Sequence, residues 1–159
     1  MEIRPAQTQD IPQLVALWND VIDHSTAIFH STQRTAGDVQ GFIDTRGRGF
    51  LVAVEGENVL SLATFFPFRS GNGYDFTVEY SVISAPEARG TGAGRAVVEA
   101  LMQEARAQGK HSIWGVVSAE NEAGLAFHKA LGFEQVARLP QVGRKFDRWL
   151  DAIYMQKML

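Results

Sequence analysis

Apolar residues between Asp10 and Asp23 fall at Ile11, Leu14, Val15, Leu17, Trp18, Val21 and Ile22, a spacing that lays one apolar stripe along a helix. A weaker stripe follows over Thr35–Arg46, carried by Val39, Phe42 and Ile43. The pattern then shortens to strand length. Phe50–Val54 and Val59–Phe66 flank Glu55-Gly56-Glu57-Asn58, which reads as a hairpin turn. Tyr74–Ile83 is rich in aromatic and β-branched residues and predicts another strand. Thr91–Gln108 gives the clearest helix, with Val97, Val98, Leu101, Met102 and Ala105 on one side and Gly109 placed to end it. Ser112–Val117 predicts a strand, and Asn121 can cap a short helix that runs to Leu131 and stops at Gly132. Phe133–Leu139 and Trp149–Met155 read as closing strands, and Glu2–Arg4 as an opening one. The order β-α-α-β-β-β-α-β-α-β-β predicts an α/β (α+β) fold over residues 1–159, in one domain: a mixed, mostly antiparallel sheet of about six to seven strands flanked by about four helices.

Composition narrows the chemistry. The chain of 159 residues is 45% hydrophobic and 21% charged, ordinary for a globular domain. Its formal net charge of −3 offers no basic field for nucleic acid or anionic lipid. It contains no cysteine, which excludes disulfides, thiolate-ligated zinc and an acyl-cysteine intermediate. The first residues, MEIRPAQTQD, lack the apolar core of a signal peptide, and no apolar run approaches membrane-spanning length. A soluble, cytoplasmic protein is expected, with no metal centre.

Most of the candidate chemistry gathers around PEARGTGAGRAVV at residues 86–98. Glycines at 90, 92 and 94 stand directly before the strongest helix. The amides of a helix's first turn point outward with partial positive charge, and glycine lets an anion approach them. Arg89, Gly90, Thr91, Gly92, Ala93 and Gly94, with Arg95 adding charge, thus form a plausible pyrophosphate cradle. The P-loop spacing and the G-x-G-x-x-G dinucleotide fingerprint both fail, because residue 95 is arginine where each requires glycine. A flexible surface loop is the alternative reading of the same stretch.

The string P-x-x-R-G-x-G-x-G between a strand and an amphipathic helix resembles the acetyl-coenzyme A signature of the GNAT superfamily of N-acetyltransferases. Asn121-x-x-Gly124-x-x-Phe127-His128-x-x-x-Gly132-Phe133 resembles a second segment of that superfamily. TVEYSV (77–82), LAFHKALGF (125–133), QVGRKFDRWLDAIYMQ (141–156) and STAIF (25–29) resemble the phosphinothricin and methionine-sulfoximine acetyltransferase group, so that the similarity covers nearly the whole chain. His128 stands where most of the superfamily has tyrosine, and Gly124 where alanine or serine is usual.

The resemblance implies acetyl transfer from acetyl-coenzyme A to the α-amino group of a small amino acid or analogue, by direct attack on the bound thioester. Methionine sulfoximine, methionine sulfone or phosphinothricin are the acceptors it points to. Acetylation of a protein N-terminus or lysine, and a non-catalytic acyl-coenzyme A module, are the rival readings. Glu79 is the expected base. Strand alternation puts it with Thr77 and Ser81, opposite Phe76, Val78 and Tyr80, and a carboxylate within so apolar a strand is costly without a partner or a task. An outward-facing glutamate is the competing reading. His128 is expected to protonate the departing thiolate or to sit beside the acetyl group; a satisfied core histidine would look the same in sequence. Ser81, Val82 and Ile83 are expected to offer main-chain groups to the pantetheine arm, where the fourth strand splays from the fifth. Asn121 either bonds the cofactor, caps its helix, or does both. Arg69 is a candidate for pairing with a substrate carboxylate. Phe29, Phe68, Tyr74, Val78 and Tyr80 are candidates for an apolar wall around the acceptor. The resemblance also implies a homodimer, with Val142–Trp149 reaching toward the second subunit.

Overall fold

The computed structural model describes residues 1–159. Strand β1 (Glu2–Pro5) is followed by helices α1 (Ile11–His24) and α2 (Ala36–Arg46). Next come β2 (Phe50–Glu55), β3 (Asn58–Pro67), β4 (Thr77–Ser84), α3 (Ala93–Ala107), β5 (Ser112–Ser118), α4 (Glu122–Ala130), β6 (Glu134–Lys145) and β7 (Arg148–Met158). The seven strands form one sheet in the order β1-β2-β3-β4-β5-β7-β6. Every neighbouring pair is antiparallel except β4 and β5, which run parallel around the α3 crossover.

Two apolar cores lie on the two faces of the sheet. On one, Val97, Val98, Leu101 and Ala105 of α3 pack on Ala63, Phe65, Val78, Tyr80, Ile113 and Val117. On the other, Leu14, Trp18 and Ile22 of α1 and Val39 of α2 pack on Phe50, Val52, Leu62 and Ile83. The helical stripes and the strand alternation therefore do what their spacing predicts, each burying one face.

Three stretches differ from the sequence expectation by more than one residue. The strand expected from Tyr74 begins at Thr77, because Asn72–Tyr74 form a 3-10 turn after Gly71 and Phe76 lies outside the strand, 64% exposed. The helix expected from Thr91 begins at Ala93, because Gly92 takes a left-handed φ of +91° that no right-handed helix contains. The closing strands are much longer than expected. β6 and β7 continue to Lys145 and Arg148 and meet in a two-residue turn whose residues, Phe146 and Asp147, both have positive φ.

Candidate active site

The pairing of β4 with β5 ends at Tyr80 opposite Gly115, while the strands themselves continue to Ser84 and Ser118. Beyond that point they diverge, so the inner edge of β4 from Ser81 to Ser84 has lost its neighbour on one side. A cleft of about 420 Å³ fills the fork. Ser81, Val82, Ile83 and Ser84 form one side, Val116 and Val117 the other, and Asn121, Gly124, Phe127 and His128 of the α4 region close one end. Val21, Ser25, Ala27 and Ile28 cover it from the α1–α2 side. The splay expected between the fourth and fifth strands is thus a feature of this chain.

At the rim of the fork stands the N-terminus of α3. Gly90 and Gly92 take φ of +78° and +91°, and a Cβ built on either would meet nothing within 4 Å, so both leave open room at the helix entrance. Gly94 has a different reason to be glycine: a Cβ there would fall 2.9 Å from the Ser84 Oγ, because α3 presses on the sheet at that point. Thr91 Oγ1 donates to the Ala88 carbonyl at 2.7 Å and receives the Ala93 N–H at 3.4 Å, which holds the turn. Arg89 lines the cleft, whereas Arg95 is exposed and bridges Glu99 at 2.8 Å. A helix entrance with open room at Gly90 and Gly92, beside an arginine, fits a pyrophosphate.

Deep in the fork His128 is buried and bonded at both ring nitrogens. Its Nδ1 lies 2.7 Å from the Gly124 carbonyl oxygen, which can only accept, so Nδ1 carries the proton. Its Nε2 therefore bears the lone pair and accepts from the Tyr80 hydroxyl at 2.7 Å. Burial holds the imidazole below its usual pKa, outweighing the Gly124 bond that acts the other way, and burial pushes the Tyr80 phenol well above its ordinary range. At neutral pH the pair is Tyr80 O–H donating to a neutral His128. Gly115 makes room for it: a Cβ on residue 115 would fall 2.5 Å from His128 Nε2.

Glu79 precedes the fork by one residue and faces the other side of the sheet, between Phe66 of β3 and Trp114 of β5 in register. It is half-buried, and burial raises its carboxyl above the usual value. Glu79 and the Tyr80–His128 pair therefore lie on opposite faces of the sheet, and only the latter lines the cleft. Asn121 caps α4, its Oδ1 accepting from the Gly124 N–H at 2.9 Å, and it also lines the cleft. Its amide explains Gly124, since a Cβ there would lie 2.5 Å from Asn121 Nδ2.

The expected acceptor residues do not gather in one place. Tyr80 joins His128. Phe68 packs at a tilt against Trp114, ring centroids 5.3 Å apart, on the Glu79 face, with Tyr74 6.2 Å from Phe68. Arg69, Tyr74 and Val78 line a separate depression of about 350 Å³ with Arg46 and Lys110, and Val78 itself is core. Phe29 packs on Gly143 of β6. Sequence reasoning passed over Ser25, Ala27, Ile28, Val116, Val117 and Phe127 as cleft residues. The first three lie in the STAIF segment and Phe127 in the second GNAT-like segment, whereas nothing local marks Val116 and Val117.

The pattern that defines the acetyltransferase (GNAT) family matches residues 16–133. The chain belongs to the acetyltransferase (GNAT) family. Among GNAT relatives, an L-methionine sulfoximine/L-methionine sulfone acetyltransferase of Pseudomonas aeruginosa is 38% identical over 97% of this chain and 92% of its own. A ribosomal-protein-alanine N-acetyltransferase from Brucella melitensis has a crystal structure that superposes with a TM-score of 0.95, at 38% identity over all of both chains. The GNAT phosphinothricin acetyltransferase of Sinorhizobium meliloti, solved in complex with acetyl-coenzyme A, superposes with a TM-score of 0.91 at 29% identity, over 99% of this chain and 88% of its own. As for membranes, no helix here is long and apolar enough to cross one.

Proposed function

We propose that this GNAT protein transfers acetyl from acetyl-coenzyme A to the α-amino group of a small amino acid or analogue, with methionine sulfone, methionine sulfoximine and phosphinothricin as leading acceptors. The observation that carries the reading is the fork itself: a gap between parallel strands lined by Arg89 from the turn before α3 and by the Tyr80–His128 pair, with Glu79 next to Tyr80 on the opposite face of β4. The amides of Gly90–Arg95 hold the pyrophosphate, and Ser81, Val82 and Ile83 supply main-chain partners to the pantetheine arm. The named activity of the Pseudomonas relative and the bound acetyl-coenzyme A of the Sinorhizobium structure support the same assignment.

Two proton movements accompany the transfer. The incoming amine must be neutral to attack, and Glu79, with its raised carboxyl pKa, takes the proton directly or through a water. The departing sulfur needs a hydrogen-bond donor. Neutral His128 has none free, because its single N–H is committed to Gly124, so the Tyr80 hydroxyl turns from Nε2 to the sulfur. A phenol pushed above its ordinary range stabilises the thiolate by this bond rather than by surrendering the proton.

The Brucella neighbour's name raises a peptide N-terminus as a second acceptor. No acidic side chain lines the cleft, so a basic peptide would find no carboxylate there to pair with. Thiol release from acetyl-coenzyme A across amino acids, their sulfone and sulfoximine analogues, phosphinothricin and alanine-ended peptides tests the choice. Saturable turnover with methionine sulfone supports it, and turnover with peptides alone overturns it. We further infer a homodimer through the outer face of the β6–β7 hairpin, where Val142, Phe146 and Trp149 are each more than half exposed. Trp149→Glu should then elute as a monomer in size-exclusion chromatography where the parent elutes as a dimer, and identical elution of the two would refute the interface.

A further inference from the structure

Lys145 has no part in this chemistry, yet it is only 3% exposed, and it is the one lysine among the buried residues. It sits at the end of β6, and its Nζ donates to the carbonyl oxygens of Ser25 at 2.6 Å and Ile28 at 3.0 Å. No carboxylate lies within ion-pairing distance. Asp23 is the acidic group whose field it feels, His30 senses its charge, and the Phe146 ring lies 5.2 Å from Nζ. Burying an ammonium is costly unless its donors are used, and here they span the two ends of one short stretch of irregular chain.

That stretch is the wall of the cleft: Ser25, Ala27 and Ile28 all line it. Two further contacts hold the same segment. Gly143, two residues before Lys145 and on the same face of β6, receives the Phe29 ring so closely that a Cβ there would lie 2.3 Å from it. Thr26 Oγ1 donates to Glu120 Oε2 at 3.2 Å, and Glu120 pairs with Arg148 of β7 at 2.6 Å. The hairpin thus grips the α1–α2 connection from one side, while the entrance of α3 is built separately.

We propose that Lys145 is a positioning residue for the acceptor: by holding the Ser25 and Ile28 carbonyls it sets the wall against which the acceptor side chain rests, leaving the pyrophosphate cradle at α3 and the β4 partners of the pantetheine arm untouched. The proposal rests on the reading of the cleft as an acetyl-transfer site for a small amino acid. Lys145→Met and Lys145→Gln both shorten the side chain by one atom; the methionine removes its donors, whereas the glutamine keeps a donor group in its amide. With L-methionine sulfone as acceptor, Lys145→Met should raise its KM about tenfold or more, with the KM for acetyl-coenzyme A within about twofold of the parent and Lys145→Gln in between. Amide hydrogen exchange across residues 25–30 should quicken in both variants, while exchange in 90–96 stays as in the parent. A purely structural lysine would lower the active fraction without splitting the two KM values. An unchanged acceptor KM, equal losses for both substrates, unaltered exchange at 25–30, or failure of both variants to fold would each overturn the proposal. Should the parent acetylate no compound in the acceptor panel, the assigned function fails, and the exchange result alone then decides the role of Lys145.

Discussion

Gly115→Ala is the sharpest probe of the fork. An ideal Cβ at this position lies 2.5 Å from His128 Nε2, 2.7 Å from its Cδ2 and 3.2 Å from Tyr80 Cε1, against 3.4–4 Å for ordinary contact. The imidazole must therefore retreat by about 1 Å, in an interior packed too densely to absorb such a shift freely. It is tethered on both sides, to Gly124 at 2.7 Å and Tyr80 at 2.7 Å, so the retreat breaks one of these bonds. Overpacking costs about 1–3 kcal/mol, and a buried polar group left unpaired another 1–3 or so. The better strand propensity of alanine returns roughly 0.5–1 kcal/mol. A net loss of about 1–5 kcal/mol follows, and for a chain of this size that lowers the midpoint of thermal unfolding by roughly 2–20 °C. Urea denaturation gives the free energy directly, and Tyr80→Phe supplies the comparison. That variant removes the same hydroxyl bond without crowding, and in its background the alanine should cost less, because one tether is already gone. Turnover should fall in both variants while acetyl-coenzyme A binding persists. A Gly115→Ala protein with parental stability and turnover would refute the packed and tethered His128 described above.

Glu79→Gln should lower kcat by about 10²–10⁴-fold with acetyl-coenzyme A affinity retained, as measured by steady-state kinetics and calorimetry. Because burial raises the Glu79 carboxyl above its usual 4.5, the active carboxylate is lost as pH falls through that raised value. The parent should show an acidic limb in kcat/KM that the glutamine variant lacks, and an identical limb in both would assign it to another group. Gly92→Val should do the reverse of Glu79→Gln. A β-branched residue at φ +91° is strained by about 1–3 kcal/mol and would project into the open space beside the first-turn amides, so calorimetry should show weakened acetyl-coenzyme A binding. Parental affinity in that variant would remove the cradle assignment.

The sequence by itself determined the elements that bury a face and the site features that are local. The stripes of α1 and α3, the alternation of β4 and the glycines before α3 are legible because periodicity and backbone freedom act over a few residues. Resemblance to the GNAT superfamily also singled out His128 and Glu79, but not their surroundings. Their relation came only with the tertiary structure. Alternation separates Glu79 from Tyr80, and the hydroxyl that occupies the free Nε2 of His128 stands 48 residues earlier in the chain, across a pair of strands that diverge just beyond it. The turn at Phe146 and Asp147 carries none of the glycine or asparagine that announces a hairpin, so the reach of β6 and β7 to the α1–α2 connection was hidden. Lys145 likewise reads as a surface lysine until the fold carries it to carbonyls 117 and 120 residues away. Local propensity writes the elements, but which side chains meet in a gap between strands depends on long-range packing, and no window of sequence contains both partners.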